Sequence, residues 1–165
     1  MLKYGGALML ILAGWAALDP ARMAWAYAGA VALFELWLLR RMAAEERGPV
    51  PVDEPPYRFS AEEAALVGRY RFYFAYPALA AQAGSVLAAI GLGSAVLALW
   101  LTYRQAFVPG AILGANLFLV GWLTRRMAPL YALRIAASRG KRDALRMLEI
   151  LEPLWAKIHA ANKEH

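Results

Sequence analysis

Cysteine is absent from this chain, which removes disulfides, thiolate nucleophiles, cysteine-ligated zinc and iron–sulfur clusters from the chemistry open to it. The same absence leaves the redox compartment unassigned. Histidine is scarce: His159 and His165 both lie in the C-terminal tail. That position excludes bis-histidine haem, histidine-ligated catalytic zinc and a Ser-His-Asp triad within the apolar part of the chain. Asp19, Asp53 and Asp143 fall in loops or in the tail, so no catalytic aspartate pair is expected. Neither a glycine-rich phosphate loop nor a Walker sequence occurs, and no alternating strand pattern exists to present one. No catalytic residue, metal or cofactor is assigned.

What is abundant is apolar surface. Hydrophobic residues make up 61% of the 165 residues, against about 45–50% in soluble domains. Water cannot be the main solvent of such a chain. The net charge of +6 raises the question of nucleic acid, but the basic residues flank apolar runs instead of forming one soluble face. Membrane orientation explains them more simply, and no nucleic-acid partner is expected. Four apolar stretches, at about 4–18, 23–39, 78–103 and 107–123, read as spans. The first two fall short of the roughly 20 residues a spanning helix needs. Asp19-Pro20-Ala21-Arg22 turns between them, making a hairpin. Met-Leu-Lys followed by an apolar run also resembles a signal peptide, with Gly14-Trp15-Ala16 as a poor cleavage site; a retained helix is the preferred reading. The expected fold is all-α: an integral membrane four-helix bundle with cytoplasmic or interfacial amphipathic helices, forming a single domain over 1–165.

Lysine and arginine crowd two segments. One is a loop over 40–71, with Arg40, Arg41, Arg47, Arg58, Arg69 and Arg71; the other is the tail over 127–165 and the Arg125-Arg126 pair before it. The opposite loops hold only Arg22 and Arg104. The positive-inside rule therefore places both termini and the central loop on the cytoplasmic side of an inner or plasma membrane. Within that loop, Gly48 to Pro56 should run extended as a polyproline-like spacer. Ser60-Ala61-Glu62-Glu63 is a capping box that starts a helix. This helix leads through the aromatic and arginine-rich run Arg69–Tyr76 until Pro77 kinks or breaks it. In the tail, Leu145, Leu148 and Leu151 share one helical face and Arg142, Arg146 and Glu149 the other. Pro153 is expected to interrupt that helix, with Leu154, Trp155 and Ile158 continuing the apolar side. The amphipathic tail has three destinations: the anionic inner leaflet, a partner's helix, or its own cytoplasmic loop.

Helices in lipid associate through small residues that let backbones approach. The third span carries two such faces, Ala80, Gly84, Ala88, Gly91 and Ala95 on one and Gln82, Ser85, Ala89 and Gly93 on another. Leu79, Val86, Ile90, Leu97 and Leu101 take the remaining sector, expected to face lipid. The fourth span aligns Gly110, Gly114 and Gly121, for packing within the bundle or for an oligomer interface. Glu35 is the only acidic residue inside a span and shares a face with Ala21, Ala24, Ala28 and Ala32. It is a candidate proton or cation site, or a carboxylate that snorkels to the cytoplasmic interface to pair with Arg40. Gln82 and Asn116 are the other polar groups at depth, each suited to lining a path or to an interhelical hydrogen bond. Arg40, Arg41, Arg69, Arg71, Arg125 and Arg126 are candidate contacts for lipid headgroups of the anionic inner leaflet.

Packing surface is plentiful and catalytic groups are missing, so the leading expectation is a non-enzymatic accessory or assembly component of a membrane complex, as a homo-oligomer or with another membrane protein. A small oligomeric transporter or channel using Glu35 is the alternative. A third reading is an interfacial lipid-handling enzyme drawing on Glu45, Glu46, Asp53, Glu54, Glu62 or Glu63, although no acid, base and nucleophile form a visible set. Four spans with an embedded glutamate resemble the small multidrug transporters at the level of architecture alone. Those proteins place the carboxylate in the first helix of a shorter chain, and no motif here matches theirs residue by residue.

Overall fold

In the computed structural model, residues 4–47 and 60–161 are described. The proline-rich spacer expected over 48–56, with Asp53 and Glu54, lies outside them, as does His165. The side chains of Ala21, Trp155, Ile158 and His159 lie outside the described set as well. Among the described residues the fold is all-α with no strand. Its helices are α1 (Gly5–Leu18), α2 (Pro20–Arg47), α3 (Ala61–Arg69), α4 (Arg71–Ala75), α5 (Pro77–Tyr103), α6 (Phe107–Met127), α7 (Pro129–Ser138) and α8 (Arg142–Ala161).

Three of these are long and apolar enough to cross a membrane: Arg22–Arg47 within α2, Pro77–Tyr103 and Phe107–Met127. α1, with 14 residues, extends about 21 Å at 1.5 Å per residue, short of a hydrocarbon core of about 30 Å. α2 is longer than its apolar run. It continues from Leu39 to Arg47, so residues 40–47 are helix, not loop; Ala43 and Ala44 have high helix propensity and nothing there breaks the ladder. Proline stands at three helix starts, with Pro20 opening α2. Pro77 and Pro129 each occupy the first turn of α5 and α7, where a missing N–H costs no hydrogen bond.

α5 is the central element, flanked by α1 and α6, while α1 also packs on α2. Its two small-residue faces do touch neighbours. Toward α1, a Cβ at Gly6 would lie 3.5 Å from Ala89 Cβ; toward α6, one at Gly91 would lie 3.4 Å from Val120 Cγ1. The leucine sector corrects the sequence expectation. Val86, Ile90, Leu97 and Leu101 are buried, whereas Leu92, Val96 and Leu99 are the exposed ones. The wedge between the two small faces points inward, at Tyr27, Val31 and Leu38 of α2. A helix apolar all round carries no inside–outside signal in its hydropathy, so periodicity alone could not tell these sectors apart.

A second core sits apart from the long helices. Leu66 and Val67 of α3, Phe74 of α4, and Leu151 and Leu154 of α8 form it, with Tyr70, Tyr73, Leu130, Leu133 and Ile150 packed around. Of the three destinations open to the amphipathic tail, the structure shows the last: its apolar face is folded onto the chain's own central segment. Leu145, assigned to that face, is nearly half exposed at its edge. Fully burying Leu151 and Leu154 contributes roughly 1.5–3 kcal/mol for each side chain. α8 runs unbroken through Pro153, which corrects the expected interruption. Pro153 and Glu149 are exposed, so the carbonyl that proline leaves without a partner is on a face open to water. The Ser60 capping box is present, Glu63 N–H donating to Ser60 Oγ at 3.2 Å and Ser60 N–H to Glu63 Oε2 at 2.8 Å. The helix it starts ends at Arg69 rather than running on to Tyr76.

Candidate functional site

Glu35 is the feature with the most chemical potential. Glu35 lies near the middle of α2 but only four residues before Leu39, where the apolar run of that helix ends and Arg40 begins its charged end. It is 3% exposed. Asn116, near the middle of α6, donates from Nδ2 to Glu35 Oε1 at 2.9 Å. Among the described residues Glu35 makes no ion pair; the three present join Arg126 to Glu46, Arg134 to Glu152 and Arg146 to Glu62. The snorkelling arrangement with Arg40 is therefore not what the structure shows. Neither is a polar cavity: Glu35 and Asn116 are the polar residues of a 390 Å³ groove between α2 and α6, lined otherwise by apolar side chains. Ala28 and Ala32 line it, as their shared face with Glu35 required, together with Ala115. Gln82 is not part of it.

The junction between α2 and α5 was not legible in the sequence. The Tyr27 hydroxyl is within 3.3 Å of both the Ile90 carbonyl oxygen and Ser94 Oγ, and Tyr27 is 1% exposed. Gly93 makes room for it. A Cβ there would lie 2.8 Å from the Tyr27 hydroxyl oxygen and 3.1 Å from Ala13 Cβ, so α1, α2 and α5 all converge on one missing side chain. The signal available was Gly93 and Ser94 in sequence on a predicted span, but neither names Tyr27 as the partner.

The small residues singled out for packing divide between two uses. Gly110 is internal, its would-be Cβ 3.3 Å from the Ala98 carbonyl oxygen and from Thr102 Oγ1, and Gly84 faces Met127 Cβ at 3.9 Å. Gly114 and Gly121 meet nothing within 4 Å, and Ala88 and Ala32 are exposed. These positions are open in the fold.

The arginines divide likewise. Arg126 donates from Nη1 to Glu46 Oε1 at 3.2 Å and to the Arg69 carbonyl oxygen at 3.0 Å, and lies 5.1 Å over the Trp122 ring. It ties the ends of α2, α3 and α6 together. Arg71 is buried. Arg40, Arg41, Arg69 and Arg125 remain exposed. The acids offered for interfacial chemistry are largely occupied: Glu46 and Glu62 in ion pairs and Glu63 in the capping box. Among the described residues no group of three histidines or acids could hold a metal ion.

Fold and site together define a class: an all-α protein with three helices long and apolar enough to span a membrane, carrying one glutamate–asparagine pair between two of them. Comparison with protein-family models, with curated proteins and with solved structures found no match.

Proposed function

We propose that this chain is an assembly protein of the inner membrane. α1, α2, α5 and α6 form a four-helix membrane bundle with both termini cytoplasmic, and the α2–α6 groove receives a transmembrane helix of a second copy. The observation that carries this reading is the groove itself. Ala28, Ala32 and Ala115 leave room for a backbone to approach, and small residues are what drive helix association where lipid removes any hydrophobic gain. A second copy is the occupant because a two-fold interface must complement itself. The groove presents a donor amide on Asn116 and an acceptor carboxylate on Glu35 side by side, so two such grooves can exchange hydrogen bonds. Each interhelical bond contributes about 0.6 kcal/mol or somewhat more in a membrane, enough to set register but not to replace packing.

The cysteine-free chain gives a clean test. With Ala32→Cys or Ala115→Cys in native membranes, mild oxidation is expected to yield disulfide-linked dimers, and Leu99→Cys, on an exposed face of α5, is expected to yield none. Glu35→Leu should lower the groove cross-link severalfold. A monomer in all cases overturns the proposal, and a cross-link to a different protein replaces the second copy by a partner complex.

One observation favours a second reading as a small oligomeric transporter or channel: a carboxylate buried at mid-helix whose described partner is neutral. Proton- or cation-coupled flux in proteoliposomes that is unchanged in Glu35→Gln removes it.

A further inference from the structure

α5, α6 and α7 enclose a cleft of 650 Å³ whose two ends differ in chemistry. Its floor belongs to the long helices, where Ala88 and Gly91 of α5 and Gly121 of α6 keep it low and apolar. A Cβ at Gly121 would meet nothing within 4 Å, so the floor is open at that position, whereas at Gly91 it is bounded by Val120 Cγ1 at 3.4 Å. The wall is α7, through Ala132 and Ala136. At the rim stand Arg125, Arg139 and Lys141. All three are exposed, and none makes an ion pair among the described residues.

Two of these cations stand on a turn that the backbone fixes. α7 closes in a Schellman motif: Gly140 N–H donates to the Ala137 carbonyl at 2.9 Å and Lys141 N–H to the Ala136 carbonyl at 3.2 Å. Gly140 takes the left-handed conformation, φ 78°, that the motif needs at this position. The turn sets Arg139 and Lys141 on either side of one glycine, both lining the cleft that Arg125 enters from the end of α6. From sequence, Arg125 was a headgroup candidate, but Arg139 and Lys141 were read only as part of a charge bias.

We infer that this cleft is a binding site for an anionic phospholipid, its phosphate held by Arg125, Arg139 and Lys141 and an acyl chain laid along the Ala88–Gly91–Gly121 floor. Three cations gathered at one rim without carboxylate partners are free to hold an anion, and the nearest anionic surface to the end of a membrane helix is the headgroup layer. The floor excludes a soluble anion as the natural ligand. A free phosphate would satisfy the rim and leave the apolar slot empty, whereas a phospholipid fills both. The inference is independent of the α2–α6 groove, which lies elsewhere on the molecule.

The test uses the full chain, purified in detergent after reconstitution with equal amounts of phosphatidylglycerol and phosphatidylcholine of matched chains, with retained lipid measured by native mass spectrometry. Wild type should retain the anionic lipid selectively. Each of Arg125→Gln, Arg139→Gln and Lys141→Gln should lower that selectivity by about fivefold, in line with the usual contribution of one basic residue near a charged surface. Gly121→Leu, whose Cβ enters open space and whose branched end fills the floor, should reduce retention of phosphatidylglycerol while leaving thermal unfolding unchanged. Neutralising three exposed cations outside the cleft, Arg47, Arg142 and Arg146, should leave selectivity intact. Equal loss in that control triple, full retention in Gly121→Leu, or stabilisation by glycerol 3-phosphate equal to that by the whole lipid would each overturn the inference.

Discussion

A methyl group at Gly93 would have to push Tyr27 or Ala13 aside, and overpacking of this kind costs about 1–3 kcal/mol. Gly93→Ala is therefore expected to lower stability by that amount, read from the unfolding midpoint in detergent. The control is Gly29→Ala. Nothing lies within 4 Å of a Cβ at Gly29, so that change should be neutral or raise stability by up to about 1 kcal/mol through helix propensity. Because the closest atom at Gly93 is the Tyr27 hydroxyl oxygen, Tyr27→Phe combined with Gly93→Ala should cost less than the sum of the two singles. Gln105 offers the opposite case. It adopts φ 60° at the end of α5, where Gln105 N–H bonds the Thr102 carbonyl and Ala106 N–H the Leu101 carbonyl. Glycine suits that left-handed position better by about 1 kcal/mol, so Gln105→Gly should raise the midpoint. At this scale the sequence located Gly93, Glu35 and Asn116 as residues worth asking about. It could not pair them, because each contact joins residues more than sixty positions apart in the chain and one sequence holds no distance information.

Helices and their ends were far more legible than helix faces. The Ser60 capping box, the break before Pro77 and the start at Pro129 follow from local backbone chemistry, in which a proline or a Ser–Glu pair acts within four residues. The exposed sector of α5 did not follow, since leucine is equally at home in lipid and in a protein interior. The tail lies between these extremes: its amphipathic face was clear, but three surfaces could have covered it. That α8 packs on α3 predicts a local effect. Leu151→Ala should destabilise the second core by about 2–5 kcal/mol, seen as faster hydrogen exchange over α3 and α8 with α5 and α6 unchanged. Loss of protection in all four helices would mean that the two cores fold as one unit. Tyr73 borders both cores. Burial pushes its phenol above the ordinary value, with Arg134 opposing the shift. The unfolded chain then loses this proton first, so stability present below pH about 10 declines as pH rises further. That decline should be shallower in Tyr73→Phe, followed as unfolding midpoint against pH.

The molecule as a whole is polarised. One end gathers Arg40, Arg41, Arg47, Arg69, Arg125 and Arg126, with the second core beneath them, and the other has Arg22 and Arg104 beside Trp25, Trp100 and Tyr103. Since lysines and arginines near helix ends resist translocation, the first end is expected to stay in the cytoplasm and the second to face outward. The lack of native cysteine turns this into a two-residue experiment. Ala44→Cys places a thiol at an exposed position near the end of α2, and Gln105→Cys places one in the α5–α6 turn. A membrane-impermeant maleimide added to intact cells should label the Gln105 variant and not the Ala44 variant, and both should react once the membrane is opened. The reverse pattern would invert the bundle and move the basic cleft to the outer leaflet. Labelling of both variants in intact cells would mean that the chain does not take this single topology, and the charge asymmetry would then have to be explained by something other than the membrane.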